Sequence, residues 1–538
     1  MLQRALSFLF FFLIIASIVQ CGRRGTLTGG PKDLDPPVLL KAEPENMTTN
    51  FKEKKIRLYF DEYIKLEDVQ DQLIVSPPLK YNPEVSPQGG AQKYVEIKIK
   101  DTLRENTTYT LNFGRSIQDN NEGNPINFLT YVFSTGDYID SLEVSGVVKD
   151  AFNKKADEFI SVMLYEIDSA YTDSTLYKKP PNYITNTLDS MIIFTLKNLK
   201  EGKYAMFAIK DQTKNNIFDQ NSDKIAFTRD TISLPTDSTY LLTLFKEMPD
   251  YSVSVPSFSA KNKIIFGYYG SGRDIKIEPL TVLPDTVHTK ILKEREKDTL
   301  NFWFTPFETD SIVFKVTNEK FKVIDTFTVK SRKGGIDSLR LDPNQNGSLS
   351  FNKPFYIAAN TPLIKIDTIK MQMMGKDSTA MVFKTDLDTL ENKVDIDFAI
   401  EPNESYSLDL LPGAITDFFG QTNDTISFRL STQSLADYGN LRLNIVGEQI
   451  EYPLIVQLTD EKGNTQIELY ATEPKVFEFN NIEPAKYMVR VIFDTNANGK
   501  WDTGSFLKNI QPEKVSYYPD LIEMRANWEL EQTFTISD

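Results

Sequence analysis

The sequence is poor in the residues on which most enzymatic chemistry depends. Among 538 residues there is one histidine, His288, and one cysteine, Cys21. One histidine rules out a His-Glu-x-x-His zinc helix. A Ser-His-Asp triad would have to use His288, and no Gly-x-Ser-x-Gly elbow accompanies it. His288 lies among the polar turn residues of Asp285-Thr286-Val287-His288-Thr289, the setting of a surface side chain. No Gly-x-x-x-x-Gly-Lys phosphate loop is present. A lone cysteine excludes an intrachain disulfide and a cysteine metal site, so stability has to come from burial. Basic excess is also missing. The formal net charge is −15, and an acidic surface repels phosphate backbones, which disfavours nucleic acid as a partner. Paired carboxylates remain available among 75 acidic residues. A glycosidase needs only two, but set in a cleft on a large domain.

What is present begins at the N-terminus. Arg4 precedes an apolar stretch from Ala5 to Val19, centred on Phe8 to Ile15. At about 15 residues it falls short of the ~20 a spanning helix needs. A charged start and a short apolar core read as a secretory signal peptide, residues 1–20. Cys21 follows directly, where a lipoprotein maturation enzyme would acylate it. Gln20 stands where Gly, Ala or Ser is usual before such a cysteine. The other reading is an uncleaved anchor helix with an incidental cysteine. Residues 21–37, with Gly25, Gly29, Gly30, Pro31, Pro36 and Pro37, read as a tether.

Beyond it the pattern is β almost throughout. Ile56-Arg57-Leu58-Tyr59-Phe60, Val95 to Ile99 and Tyr109 to Phe113 alternate apolar and polar residues, as half-buried strands do. Leu66 to Leu73 is the one short helical candidate. Many short strands without a βαβ rhythm predict an all-β protein of tandem β-sandwich modules.

The chain also repeats itself. Phe194-Thr195-Leu196 matches Phe477-Glu478-Phe479, Tyr204 matches Tyr487, Asp211 matches Asp494 and Phe218 matches Trp501, all at an offset of 283. Asn106, Tyr109 and Leu111 match Asn403, Tyr406 and Leu408, and Ser134-Thr135 matches Ser431-Thr432, at an offset of 297. Two copies of a two-domain unit therefore flank a β-rich centre. The modules fall at 38–138, 139–250, 251–338, 339–437 and 438–538, and repeats of this length imply separate beads on a string rather than a solenoid.

Several segments carry a family resemblance. Asp35-Pro36-Pro37-Val38, Leu73-Ile74-Val75-Ser76-Pro77, Asn106 to Leu111, Ile117-Gln118-Asp119 and Phe133-Ser134-Thr135-Gly136 follow in the order seen in bacterial Ig-like domains, and module 38–138 resembles that family. The run from Cys21 through Gly29-Gly30-Pro31-Lys32-Asp33 to Pro36-Pro37 looks like Bacteroidota lipoproteins carrying the domain. Modules 139–250 and 438–538 resemble transthyretin-like, carboxypeptidase-regulatory sandwiches. The resemblance implies a non-catalytic lipoprotein bound to outer-membrane lipid through Cys21. It would work as a scaffold or accessory subunit beside an outer-membrane barrel or envelope complex, for transport or barrel assembly. The alternatives are a glycan-binding or adhesive surface protein and a glycosidase. Gly22-Arg23-Arg24 replaces the acidic residues that usually follow the cysteine of surface-directed lipoproteins of this phylum. Ig-like modules suit the cell surface more than the periplasmic face. The recurrent Asp-(Ser/Thr)-apolar tripeptide resembles the O-glycosylation sequon of the same envelope proteins, with Thr102, Ser141, Thr231, Thr299, Ser338, Thr368, Thr389 and Thr425 as acceptors. The plain alternative is Asp-Thr chemistry at a turn leading into a strand.

No organic cofactor is implied, and calcium is the one metal candidate. Asp494, Asn496, Asn498, Lys500 (through its carbonyl) and Asp502, with Gly499, follow the first part of a calcium loop. The acid wanted at position 12 is replaced by Ser505. The earlier copy offers Asp211, Thr213, Asn215 and Asp219, with Asn216 where glycine is wanted. The competing reading is a turn closed by its own Asx hydrogen bonds. Aromatic residues such as Trp303, Trp501, Trp528, Tyr268-Tyr269 and Tyr517-Tyr518 offer either a binding platform or core packing between sheets.

Overall fold

The structure is a computed structural model. It describes residues 33–536 apart from 188–191, 296, 332–334, 336 and 449. The signal segment 1–20, Cys21 and most of the tether lie outside the described residues. Among those described, no helix is long and apolar enough to cross a membrane. The protein is all-β, a series of sandwiches, and its α-helical content among these residues is the single turn Val69–Gln72.

The chain divides into two compact units between Asp140 and Ser141. The first unit is one sandwich. One sheet runs Leu39–Glu43, Lys55–Leu66, Gln92–Lys98, Glu84–Ser86, with Ile117–Asp119 on the far half of Lys55–Leu66. The other runs Ile74–Ser76, Thr108–Asn112, Thr130–Ser134. Period-two alternation turns Ile56, Leu58 and Phe60 inward from one sheet and Tyr109, Leu111 and Phe133 from the other, and these side chains form one apolar cluster.

The second unit contains a sandwich of the same plan. Leu341–Pro343, Phe355–Ala359, Lys393–Phe398 and Phe383–Asp388 form one sheet, and Gly347–Ser348, Ile426–Ser431, Ser405–Leu410 and Met371–Met374 form its partner. The polar frame is repeated atom for atom. Tyr109 Oη accepts from the Arg104 N–H at 2.8 Å, and Thr135 Oγ1 donates to the Arg104 carbonyl at 2.7 Å. At an offset of 297, Tyr406 Oη accepts from the Glu401 N–H at 2.6 Å and Thr432 Oγ1 donates to the Glu401 carbonyl at 2.5 Å. Asn106 and Asn403 both take left-handed φ (48° and 57°), a conformation asparagine tolerates better than most residues.

The other repeated sandwich also has one topology in both copies. Ile193–Leu199, Leu142–Asp150 and Thr239–Leu244 form a three-stranded sheet whose last pair is parallel. Phe477–Ile482, Gly439–Val446 and Glu529–Thr535 do the same. The facing sheets run Tyr183–Asn186, Ser161–Glu166, Gly202–Lys210, Lys224–Phe227, and Thr465–Ala471, Leu454–Thr459, Ala485–Phe493, Val515–Tyr517. Tyr204 Oη donates to the Lys200 carbonyl at 3.1 Å and Tyr487 Oη to that of Glu483 at 2.9 Å, pinning the same corner. Between the two copies, Lys263–Tyr269, Thr299–Phe304 and Ser311–Asn318 are central strands of a further sandwich packed around Phe266, Phe302 and Phe314.

The expectation of separate beads needs correction in the second unit. Trp303 meets Phe419 at a ring separation of 6.0 Å, and Lys290 Nζ donates to the Leu363 carbonyl at 2.8 Å. Asn352 Nδ2 reaches the carbonyls of Asn480 and Asn481. The final sandwich then returns to the first sandwich of the unit, where Phe506 packs on Phe207 and Phe227. Modules distant in sequence therefore touch, through contacts that a count of linkers does not reveal.

Candidate functional site

The loop from Asp494 to Glu513 is the most elaborate polar feature singled out by the sequence. It leaves the strand Ala485–Phe493 and returns into Val515–Tyr517. Asp494 is fully buried. Its Oδ1 accepts from the Asn498 N–H at 3.0 Å and its Oδ2 from the Gly499 N–H at 2.8 Å. Asn496 and Asn498 both turn their side-chain amides onto Asp502 Oδ2. Lys500 is exposed, and its N–H donates to Asn498 Oδ1 at 3.0 Å. Tyr470 lies beside Asp494, and its phenol is pushed up first by loss of water contact and then by that carboxylate.

Glu513 closes the loop, and the sequence reading missed it. Its Oε1 accepts from the Thr495 N–H at 2.8 Å and its Oε2 from the Asp502 N–H at 2.9 Å. In the earlier copy Asp223 plays the same part, accepting from the Gln212 N–H at 3.0 Å and the Asp219 N–H at 2.9 Å. Gln212 and Asp219 are the offset-283 partners of Thr495 and Asp502, whereas Asp223 and Glu513 are 290 apart. The pairing was hidden because residues are inserted between Asp502 and Glu513. Asp211 repeats the role of Asp494, with Oδ2 accepting from the Asn216 N–H at 2.7 Å. Asn216 and Gly499 both take left-handed φ (58° and 78°), so asparagine can replace glycine here without changing the loop.

These donors are arranged as a closed Asx network. Both oxygens of Asp494 are engaged by backbone N–H groups, and among the described residues no three His, Cys, Asp or Glu side chains gather to hold a metal ion. The loop is closed by its own hydrogen bonds. Millimolar calcium added to the full chain is accordingly expected to leave its melting temperature unchanged. A calcium-dependent rise, abolished by Asp502→Ala, would assign the ion to Asn496, Asn498 and Asp502.

The other sequence candidates lie apart. Thr102, Ser141, Thr231, Ser338, Thr368, Thr389 and Thr425 are exposed, and Thr299 is half-buried at the start of Thr299–Phe304. Ser141, Thr231 and Thr425 each sit immediately before a strand, as the turn reading of the tripeptide requires. His288 is exposed. Trp303 is buried, and Trp501 packs at a tilt against Phe152 at 4.8 Å and donates from Nε1 to the Glu513 carbonyl at 3.1 Å. Tyr268 is buried, Tyr517 and Tyr518 are half-buried, and Trp528 is partly exposed beneath the Arg525 guanidinium.

Residues 33–135 match the family model described as a bacterial Ig-like domain. This is therefore a multi-domain all-β protein carrying a bacterial Ig-like domain. Among solved structures, it resembles the surface layer protein SbsC, domains 1–6, at 12% identity over 90% of this chain and 67% of that one, with a TM-score of 0.15. The Bacillus anthracis TIE protein matches at 11% identity over 94% and 75%, with a TM-score of 0.14. The major pilin subunit BcpA of Bacillus cereus matches at 10% over 73% and 99%, with a TM-score of 0.14. No curated protein matches the chain.

Proposed function

We propose that this is a non-catalytic envelope protein, held at the outer membrane through Cys21, that serves as a scaffold or accessory subunit of an outer-membrane complex. The observation supporting this reading is how the buried acids are used. The buried Asp119, Asp223, Asp417, Asp494 and Glu513 and the half-buried Asp211 each accept backbone N–H groups of their own loops. Carboxylates so engaged brace rigid sandwiches, which supports a structural use of these acids over use as a general acid and base. Rigid modules in series present a binding surface away from the lipid, which one domain cannot do. Packing of Trp303 and Trp501 against other rings weighs against an aromatic glycan platform. Affinity purification of the full-length protein in mild detergent is expected to bring down a barrel protein or another envelope component. If the protein elutes alone at every detergent concentration tried, the scaffold reading fails.

A further inference from the structure

The two copies of the 142–244 type of sandwich differ in the connection between one pair of strands. In the first copy Ile209 pairs with Ile225, and in the second Ile492 pairs with Val515. The separations are 16 and 23 positions, so the second copy carries seven extra residues between the same two strands. The insertion falls where three residues, Gln220-Asn221-Ser222, join Asp219 to Asp223 in the first copy. In the second, ten residues, 503–512, join Asp502 to Glu513. On either side of the insertion the two closing hydrogen bonds of the carboxylate coincide between the copies.

The inserted arm projects onto the other copy. Phe506 meets Phe207 and Phe227 edge-to-face at 5.0 and 5.4 Å, and Phe227 in turn meets Phe245 at 6.1 Å. Such ring pairs contribute about 0.5–1.5 kcal/mol each beyond the area they bury. Main-chain groups fix the register. The Phe506 N–H donates to Glu247 Oε1 at 2.6 Å, Thr503 Oγ1 to the Lys246 carbonyl at 2.5 Å, and Gln511 Nε2 to the Phe227 carbonyl at 3.1 Å. Glu247 is 2% exposed, so this acceptor is buried by the arm that uses it. At Gly504 a Cβ would lie 2.7 Å from the Phe245 ring and 2.7 Å from the Ile510 carbonyl, closer than any side chain tolerates. A second patch adjoins. Arg490 lies over the Phe152 ring at 4.1 Å, Tyr517 Oη donates to the Phe152 carbonyl, and Lys154 Nζ donates to the Tyr518 carbonyl at 3.1 Å. At the position of Trp501 the first copy has Phe218, which packs instead on Tyr177 of its own sandwich at 5.4 Å. The same loop position thus serves internal packing in one copy and contact between copies in the other.

We propose that residues 503–512 are an intramolecular clasp, added to one copy of a duplicated sandwich, that locks it onto the other and makes the region 141–538 one closed body. The occupant of the Phe207, Phe227 and Phe245 surface is this arm, and Phe506 is its anchor. This inference does not rest on the envelope role proposed above.

The test replaces 503–512 by Gln-Asn-Ser in the full chain. The first copy demonstrates that this connection spans the same strands, so the sandwich is expected to fold. Spin labels are placed at Glu201→Cys and Glu473→Cys, with Cys21→Ser, because both glutamates are exposed and lie outside the contact. The parent should give one narrow distance distribution. The loop replacement should lose it and give a broad one, with β-sheet circular dichroism retained. Phe506→Ser should broaden the distribution in the same way, and Phe506→Leu should restore much of the narrow peak. A narrow, unshifted distribution in the loop replacement or in Phe506→Ser would overturn the clasp, since the copies would then be held together without it.

Discussion

Replacing Gly146 by valine is expected to unfold the sandwich that spans Leu142 to Leu244. Gly146 lies in the middle of the central strand Leu142–Asp150, paired with Phe194 on one side and with Tyr240 on the other. A Cβ there would lie 2.2 Å from the Tyr240 carbonyl oxygen and 2.6 Å from Phe194 Cζ. Neither neighbour has room to move. The carbonyl belongs to the sheet backbone, and the ring is 2% exposed within the core. Overpacking a core costs about 1–3 kcal/mol and occasionally more, and a displaced ladder adds to that. Valine at 146 should cost at least about 3 kcal/mol. In the other copy Leu443 stands opposite Phe477 where Gly146 stands opposite Phe194, so the close approach is a feature of this copy. Gly267→Ala is the control. Gly267 is also a strand glycine, but its nearest neighbour would be Ser254 Oγ at 3.5 Å, an ordinary contact. Thermal melting of the full chain should show a large loss for Gly146→Val and almost none for Gly267→Ala. Equal losses would mean that glycine in a strand, and not the close approach of Tyr240 and Phe194, sets the cost.

Much of this architecture can be read from the sequence, because the repeated positions are the ones backbone geometry constrains most. Asn106 and Asn403, Asn198 and Asn481, and Asn216 and Gly499 all occupy left-handed φ, which few residue types tolerate. Tyr109 and Tyr406, like Tyr204 and Tyr487, must present a hydroxyl to one main-chain group. Core positions drift more freely, since only volume and polarity are required of them. Glu513 escaped notice because the clasp shifts the offset from 283 to 290 just before it. The clasp itself left little trace in the pattern. Its polar contacts include the carbonyls of Phe227 and Lys246, and any residue could supply a carbonyl there. The calcium reading rested on the spacing of Asp494, Asn496, Asn498 and Asp502, a spacing that an Asx network produces equally well.

The second large effect is expected from Phe133→Ala, and it should be confined to the first unit. Phe133 is fully buried in the strand Thr130–Ser134. Its ring lies 4.0 Å from that of Phe51, 5.3 Å from Tyr109 and 6.1 Å from Tyr131. Truncating such a ring to alanine costs about 3–5 kcal/mol, from lost burial and from the cavity left behind. A single domain has only about 5–15 kcal/mol to lose, so this one change consumes much of the margin. The copy in the second unit shows which part of the site is fixed and which is not. At the offset of 297 Leu430 takes the place of Phe133, while the Tyr406 and Thr432 hydrogen bonds keep the frame of Tyr109 and Thr135. Leucine at 133 should therefore be milder than alanine, because the neighbours lose less contact and the frame is untouched. Scanning calorimetry of the full chain is the measurement. If the unit ending at Asp140 melts as its own cooperative block, Phe133→Ala should move one transition down sharply and leave the heat absorbed by the rest in place. A shift of every transition together would join the two units into one cooperative block, and the division at Asp140 would then hold for contacts alone.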